Sequence, residues 1–372
     1  MKKSIKIGIL VSGLPPIAIG GTEIATHNIA KFLSRKHFEV HVITRNPRIK
    51  IKGKKRSLKK VEKYKGYIIH RIPCSSSPLL RFITHVLFGL KALIKIKPDL
   101  IHGQQITPNG LIAVLAGKLL RKKTLVWAQG SEIYNSSLLY LKSIGQFVIS
   151  KATVVLGVST HMKNRMKYIW PQQPIYHLSN GIELGTYFHE PAPKSTVEII
   201  FVGRLIKIKR ISNAIKAISY LKDDIPKVML TIIGSGPTEE LLKKQCGLLK
   251  IEDHIRFLGN IPHEEIPKIL SRADIFIFPS LREGLPIAIL EAMASGLPIL
   301  ASRTTALPEL VHDQINGLLH SPGNVSELTR NLKILIQNEA LRNSMGKKSR
   351  EFAHKYSWKK IINRLIKFYL HM

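Results

Sequence analysis

Two carboxylates, Glu283 and Glu291, stand eight residues apart inside the otherwise apolar stretch "SLREGLPIAILEAMASGLPILAS", Ser280 to Ser302. A carboxylate held in apolar surroundings needs hydrogen-bond donors, because an unpaired charge out of water is costly. Sugar or ribose hydroxyls are donors of the right kind. The bland alternative makes Glu283 a helix cap and Glu291 a surface residue. The neighbours of Glu291, Ile-Leu-Glu-Ala-Met-Ala, are too apolar for a wholly solvated face. A second segment, "FVGRLIKIKR" from Phe201 to Arg210, carries Gly203, Arg204 and Lys209 between a strand and a helix. Two cations beside a helix tip suit a diphosphate.

Local elements place these groups. "DIFIFPS" reads as a buried strand, "LREGL" as the loop after it and "PIAILEAMAS" as a helix. Pro286 suits the first helical position and Gly296 the stop. Glu283 then precedes a helix N-terminus, and Glu291 lies about two turns into the helix. The backbone of Gly284, Leu285, Pro286 and Ile287 forms the partly positive helix start, a ready anion site.

The rest of the chain supplies the frame. Apolar strand-like runs alternate with helical patterns, which implies parallel sheets covered on both faces. The alternation breaks at "ELGTYFHEPAPKST", Glu183 to Thr196, and then restarts. We expect an α/β protein of two doubly wound Rossmann-like domains facing a cleft, 1–185 and 186–355, with a tail helix over 356–372. Open sheets of this kind bind ligands at the carboxyl ends of their strands.

The 372 residues include 58 Lys+Arg against 24 Asp+Glu, formal net charge +34. Residues 1–185 hold 31 basic and 6 acidic residues, net +25, so the first half carries most of the positive field. Anionic partners follow: nucleic acid, an acidic membrane surface or phosphorylated substrates. The run "RIKIKGKKRSLKKVEKYK", Arg48 to Lys65, has ten basic residues and one acid and reads as a loop or short ragged helix. It lacks the interleaved aromatics of a base-stacking surface, which weakens a nucleic-acid-binding reading. "RFITHVLFGLKALIKIK", Arg81 to Lys97, reads as a helix that could lie on an anionic bilayer, with core packing as the alternative. Two distant cysteines, Cys74 and Cys246, exclude a disulfide framework and fit a reducing cytosol. The N-terminal apolar run is short and broken, so it reads as a strand rather than a signal peptide, and no segment reads as a transmembrane helix.

Together these segments resemble the retaining GT-B glycosyltransferases of glycosyltransferase family 4, also called glycosyl transferases group 1. The E-x7-E motif at Glu283 and Glu291 carries most of the likeness, with Gly203, Arg204 and Lys209 next. "RFLGNIPHEEIPKILSRADIFIFPS", "ALPELVHDQINGLLHSPGN", "GGTEIATHNIAKFLS", "VVLGVSTHMKNRM" and "LSNGIELGTYF" extend it over nearly the whole chain. The resemblance implies that Arg204 and Lys209 hold the donor diphosphate. It also implies that Glu283, Gly284 and Leu285 bind the donor sugar and Glu291 the ribose. Gly259-Asn260 would lie near the base, Gly20 and Gly21 would let the first-domain backbone approach the donor, and the tail helix with Trp358 would pack back on the first domain.

One departure stands out. The family often has His-Gly after a first-domain strand, and here Gln129 precedes Gly130. Glutamine cannot act as a base, but its amide can bond an acceptor-side hydroxyl. Arg210 also stands where the family often has a small residue.

No Asp-x-Asp pattern is present, and the nearest pair, Asp223-Asp224, falls in a polar turn. The expectation is metal-independent, retaining transfer from a UDP-, GDP- or ADP-sugar co-substrate, without other cofactors, by front-face attack. The acceptor would be lipid-linked or phosphorylated, and the enzyme cytoplasmic and peripheral on the membrane. A nucleotide-sugar epimerase or a phosphorylase of the same architecture is the competing enzyme class, and neither requires this order of Arg204, Lys209, Glu283 and Glu291.

Overall fold

Continuous apolar runs such as "KIGIL", "VMLTII" and "IFIF" become strands buried on both faces, as parallel strands must be. The computed structural model describes residues 4–15, 20–46, 49–51, 54–56, 58–134, 139–190, 196–223 and 228–372. The chain forms two units. The first takes Met1–Asn180 and Trp358–Met372, the second Gly181–Ser357.

In the first unit the strands are β1 (Lys6–Leu10), β2 (Glu39–Asn46), β3 (Val61–Tyr64), β4 (Tyr67–Pro73), β5 (Leu100–Gln104), β6 (Lys123–Ala128), β7 (Val154–Gly157) and β8 (Ile175–His177). They form one sheet in the order β8-β7-β6-β5-β1-β2-β4-β3. Ile7 of β1 pairs with Val40 of β2 on one side and Leu100 of β5 on the other, both parallel. Helices α1 (Gly21–Ser34), α2 (Pro78–Ile96), α3 (Leu111–Leu120), α4 (Leu139–Lys151) and α5 (Thr160–Ile169) follow their strands. Leu10, Ile43, Leu93, Ile101, Ile112 and Ala116 share one core between sheet and helices.

The basic run differs from expectation. Its described residues are extended, not loop or ragged helix: 49–51 pairs with 54–56, and β3 pairs antiparallel with β4. Lys65 (φ 45°) and Gly66 (φ 95°) close a two-residue hairpin, whose turn needs positive φ at both positions. Val61 and Lys63 face out while Glu62 and Tyr64 turn inward, an alternation hidden in the sequence by the surrounding lysines. Arg48, Lys52 and the Asp224 half of the acidic pair lie outside the described residues.

In the second unit the strands are β9 (Val197–Val202), β10 (Val228–Ile233), β11 (Ile255–Gly259), β12 (Ile275–Phe278), β13 (Ile299–Ser302) and β14 (Gly317–His320). All pair in parallel, in the order β11-β10-β9-β12-β13-β14. The order reverses direction between β9 and β12. Such a switch point is where open α/β sheets leave a ligand crevice. Helices α6 (Ile211–Leu221), α7 (Glu239–Leu249), α8 (Ile266–Leu270), α9 (Ile287–Ala294), α10 (Val325–Gln337) and α11 (Glu339–Ala353) complete the unit.

The last helix, α12 (Trp358–Leu370), belongs to the first unit. Its Trp358 ring stacks on Phe32 of α1 at 6.4 Å, and the Tyr369 hydroxyl lies 2.6 Å from His102 Nδ1 of β5. Burial drives His102 far down, to about 3, so it meets Tyr369 as a neutral ring. The two ends of the second unit meet each other, since the Ile182 N–H donates to the Tyr356 carbonyl at 2.8 Å.

Candidate active site

The switch point of the second unit gathers the charged residues. After β9 the chain turns at Gly203 and exposes Arg204, while Leu205 dives into the core. The turn is held by the next strand's loop. Gly203 N–H donates to the Ile233 carbonyl (2.9 Å) and Leu205 N–H to the Ser235 carbonyl (2.9 Å). Gly234 lies so close that a Cβ there would collide with the Gly203 carbonyl oxygen, and its φ is 123°. Only glycine satisfies both conditions.

Lys209 ends a 3-10 turn, Lys207–Lys209, before Arg210 in left-handed conformation (φ 51°) opens α6. The Lys209 ammonium reaches Glu283 Oε1 at 2.7 Å, with both side chains mostly buried (14% and 12% exposed). It also sits over the Phe278 ring, 4.6 Å from the centroid. A cation between a ring face and a carboxylate is well compensated out of water.

Glu283 is fixed from three sides. Ser280 Oγ donates to its Oε1 at 2.5 Å, its own N–H donates to Thr305 Oγ1 at 2.9 Å, and the Lys209 bond completes the set. The loop itself is tied to the Lys209 turn, since Leu281 N–H donates to the Ile208 carbonyl at 2.9 Å. Gly284, Leu285 and Pro286 then lead into α9. The helix begins at Ile287 with Pro286 as its cap (φ −72°, ψ 120°), one residue later than expected. At about 3.6 residues per turn Glu291 is little more than one turn in, and a start at Pro286 would also have fallen short of the two turns expected.

Glu291 is 3% exposed, and its donors come from the protein itself. Tyr187 Oη donates to Oε1 at 3.1 Å, and His263 Nε2 lies 2.6 Å from the same oxygen. Burial pulls the His263 pKa down, but the Glu291 hydrogen bond and the charges of Glu291 and Glu264 outweigh it, and the net shift is upward. Neither Tyr187 nor His263 announces itself in sequence, since each reaches Glu291 only through the fold. Asn260, after β11, is exposed and donates to Ser235 Oγ at 2.6 Å.

The remaining candidates sit in the first unit, at the carboxyl ends of its strands. Gly20 and Gly21 start α1, with the Ile24 N–H donating to the Gly20 carbonyl. Gln129 follows β6 in a chain of amides. Asn180 Nδ2 donates to Gln129 Oε1 (3.2 Å), and Gln129 Nε2 donates to Gln104 Oε1 (2.9 Å). The Glu132 carboxylate accepts the Gln129 and Gly130 N–H groups at 2.8 and 3.1 Å, which fixes the turn. Burial pushes Glu132 up while these N–H bonds pull it down, and burial prevails. Among the described residues no group of three His, Cys, Asp or Glu side chains is placed to hold a metal ion.

Comparison with known proteins meets this geometry from the other direction. Residues 187–352 match the family model of glycosyl transferases group 1, and residues 19–186 that of glycosyltransferase family 4. An uncharacterised glycosyltransferase of Methanocaldococcus jannaschii is 29% identical over 376 residues, 94% of this chain and 95% of the relative. Sucrose-phosphate synthase from Thermosynechococcus elongatus superposes with TM-score 0.83 at 20% identity, covering 99% of this chain and 98% of that one. The Anabaena protein HepE, solved in complex with UDP-glucose, superposes with TM-score 0.79 at 17% identity, covering 99% of this chain and all of the other. The two family matches together run from residue 19 to residue 352, and this chain belongs to the family 4, group 1 glycosyltransferases of GT-B fold.

Proposed function

We propose that the protein moves a sugar from a nucleoside-diphosphate sugar to an acceptor hydroxyl, with retention at the anomeric carbon and without a metal. The observation that carries this is the Lys209–Glu283 ion pair at the β9/β12 switch point. A diphosphate leaving group gains negative charge as its bond to the sugar C1 breaks, and preorganised cations at that place lower the barrier. Lys209 and Arg204 take that charge. Glu283 holds sugar hydroxyls, Glu291 the ribose, and the loop at Asn260 borders the base. The acceptor oxygen attacks C1 from the face the diphosphate leaves, and its proton passes to the departing phosphate oxygen. Gln129 holds an acceptor-side hydroxyl and takes no proton. The UDP-glucose complex of HepE supports a nucleotide-sugar donor. Incubation with UDP-, GDP- and ADP-sugars in the presence of a chelator, followed by NMR of the released sugar, tests the reading. One donor should be hydrolysed slowly, its sugar first appearing with the donor's own anomeric configuration. Inverted product, or no turnover across the panel, would overturn it.

The acceptor is lipid-linked, and the first unit works on an anionic membrane from the cytoplasmic side. Support comes from α2. Leu79, Leu80, Ile83, Leu87 and Ile94 are 70, 53, 43, 60 and 41% exposed. At 3.6 residues per turn they form one stripe, opposite the buried His85, Gly89 and Leu93. Exposed Lys91 and Lys95 border it, as suits headgroups. Among the described residues no helix is long and apolar enough to cross a membrane. In sedimentation the protein should follow vesicles containing phosphatidylglycerol and leave neutral ones, and Leu80→Glu with Leu87→Glu should abolish the difference. Equal partition between the two vesicle types removes the membrane from the proposal.

A further inference from the structure

The geometry points to Tyr187 and His263 as positioning residues that occupy one oxygen of Glu291 and so dedicate the other to a ribose diol. The inference rests on the reading of Glu291 as the ribose-binding carboxylate.

Three distant pieces of chain converge on one atom. Tyr187 follows the short turn Leu184–Thr186, His263 begins the turn before α8, and Glu291 projects from α9. Both hydrogen bonds, at 3.1 and 2.6 Å, end on Oε1. An ionised carboxylate only accepts, so Tyr187 must donate its hydroxyl proton and His263 must carry a proton on Nε2. Tyr187 stays a donor at any working pH, because burial first, and the Glu291 charge second, hold its pKa well above the ordinary phenol value.

Two bonds to one oxygen fix the rotation of the carboxylate plane. The side chain is itself withdrawn from solvent, 3% exposed, so bulk water offers little competition for these bonds. The remaining acceptor capacity then lies mainly on Oε2. A carboxylate with a fixed free edge matches adjacent hydroxyls, while a freely turning one would exchange partners. Specificity follows from the penalty for a missing hydroxyl. A 2′-deoxy ligand leaves part of a charged acceptor unpaired, which costs more than breaking a hydrogen bond between neutral groups. Charges facing His263 come from Glu291 on α9 and Glu264 on its own turn.

The test measures binding of UDP and GDP against dUDP and dGDP by calorimetry, using the full chain at one pH. Whichever base binds, the wild-type protein should prefer the ribonucleotide by roughly tenfold or more, the scale of a hydrogen bond to a charged group. Tyr187→Phe and His263→Leu should each shrink that ratio toward one, mainly by weakening the ribonucleotide, with the deoxynucleotide little changed. Circular dichroism melting checks that each variant is folded, and Tyr187→Phe removes a single oxygen should His263→Leu fail that check. Equal losses for ribo and deoxy ligands would mean a merely structural role and overturn the inference. Glu291→Gln separates the two levels. If it leaves the ribo/deoxy ratio unchanged, the ribose reading of Glu291 fails. If it collapses the ratio while Tyr187→Phe and His263→Leu preserve it, the positioning role alone fails.

Discussion

Lys209→Ala should lower transfer by roughly two to three orders of magnitude, the usual cost of removing one preorganised charge-stabilising group. It should also destabilise the protein by about 3 kcal/mol, because it strands a mostly buried carboxylate. The two effects have different origins and can be pulled apart. Lys209 lies between Glu283 and the Phe278 ring, so its removal leaves Glu283 facing the incoming diphosphate with like charge. A Lys209→Met, Glu283→Gln double variant carries no stranded charge. Urea denaturation should show most of the lost stability returning, while the rate stays low. Arg204→Ala gives the converse pattern, since Arg204 is exposed at the strand end: a large rate loss with an unchanged unfolding midpoint. A double variant that regained both stability and rate would show the pair to be only structural.

Glu283→Gln should reduce turnover by roughly a hundredfold while donor binding weakens less. The amide keeps the shape and can still accept one bond from Ser280 or from Lys209. It loses the charge that strengthens bonds from sugar hydroxyls as positive charge grows on the ring during transfer. The expected signature is therefore a fall in kcat larger than the rise in KM, read from initial rates with the preferred donor. A change confined to KM would place Glu283 in ground-state binding alone.

The strands of the second unit were legible in sequence because a strand covered on both faces is apolar along its whole length. "IFIF" allows little else. Arg204, Lys209 and Glu283 were legible because charges after such strands have few structural reasons to be there. The helix start after Glu283 was blurred by one residue, since a proline serves equally as cap or as first helical residue. The basic run misled for a related reason. Lysine has no strong preference that separates strand from loop, and the pairing of β3 with β4 rests on the Lys65-Gly66 turn. His263 and Tyr187 were hidden altogether, lying 28 and 104 positions from the carboxylate they hold. No periodicity encodes a meeting over such distances. The donors to Glu291 were expected from a ligand, and the fold supplies two of them itself.

The return of α12 to the first unit makes the second unit an insertion within the first. The insertion's own ends are already tied, Ile182 to Tyr356 and Ser357. During vectorial synthesis Gly181–Ser357 can therefore close upon itself while the surrounding unit still waits for its final helix. Until then Phe32 lacks its Trp358 cover and His102 its tyrosine. The ribosome delivers the second unit ready-made, and the unit that emerges first is the one completed last.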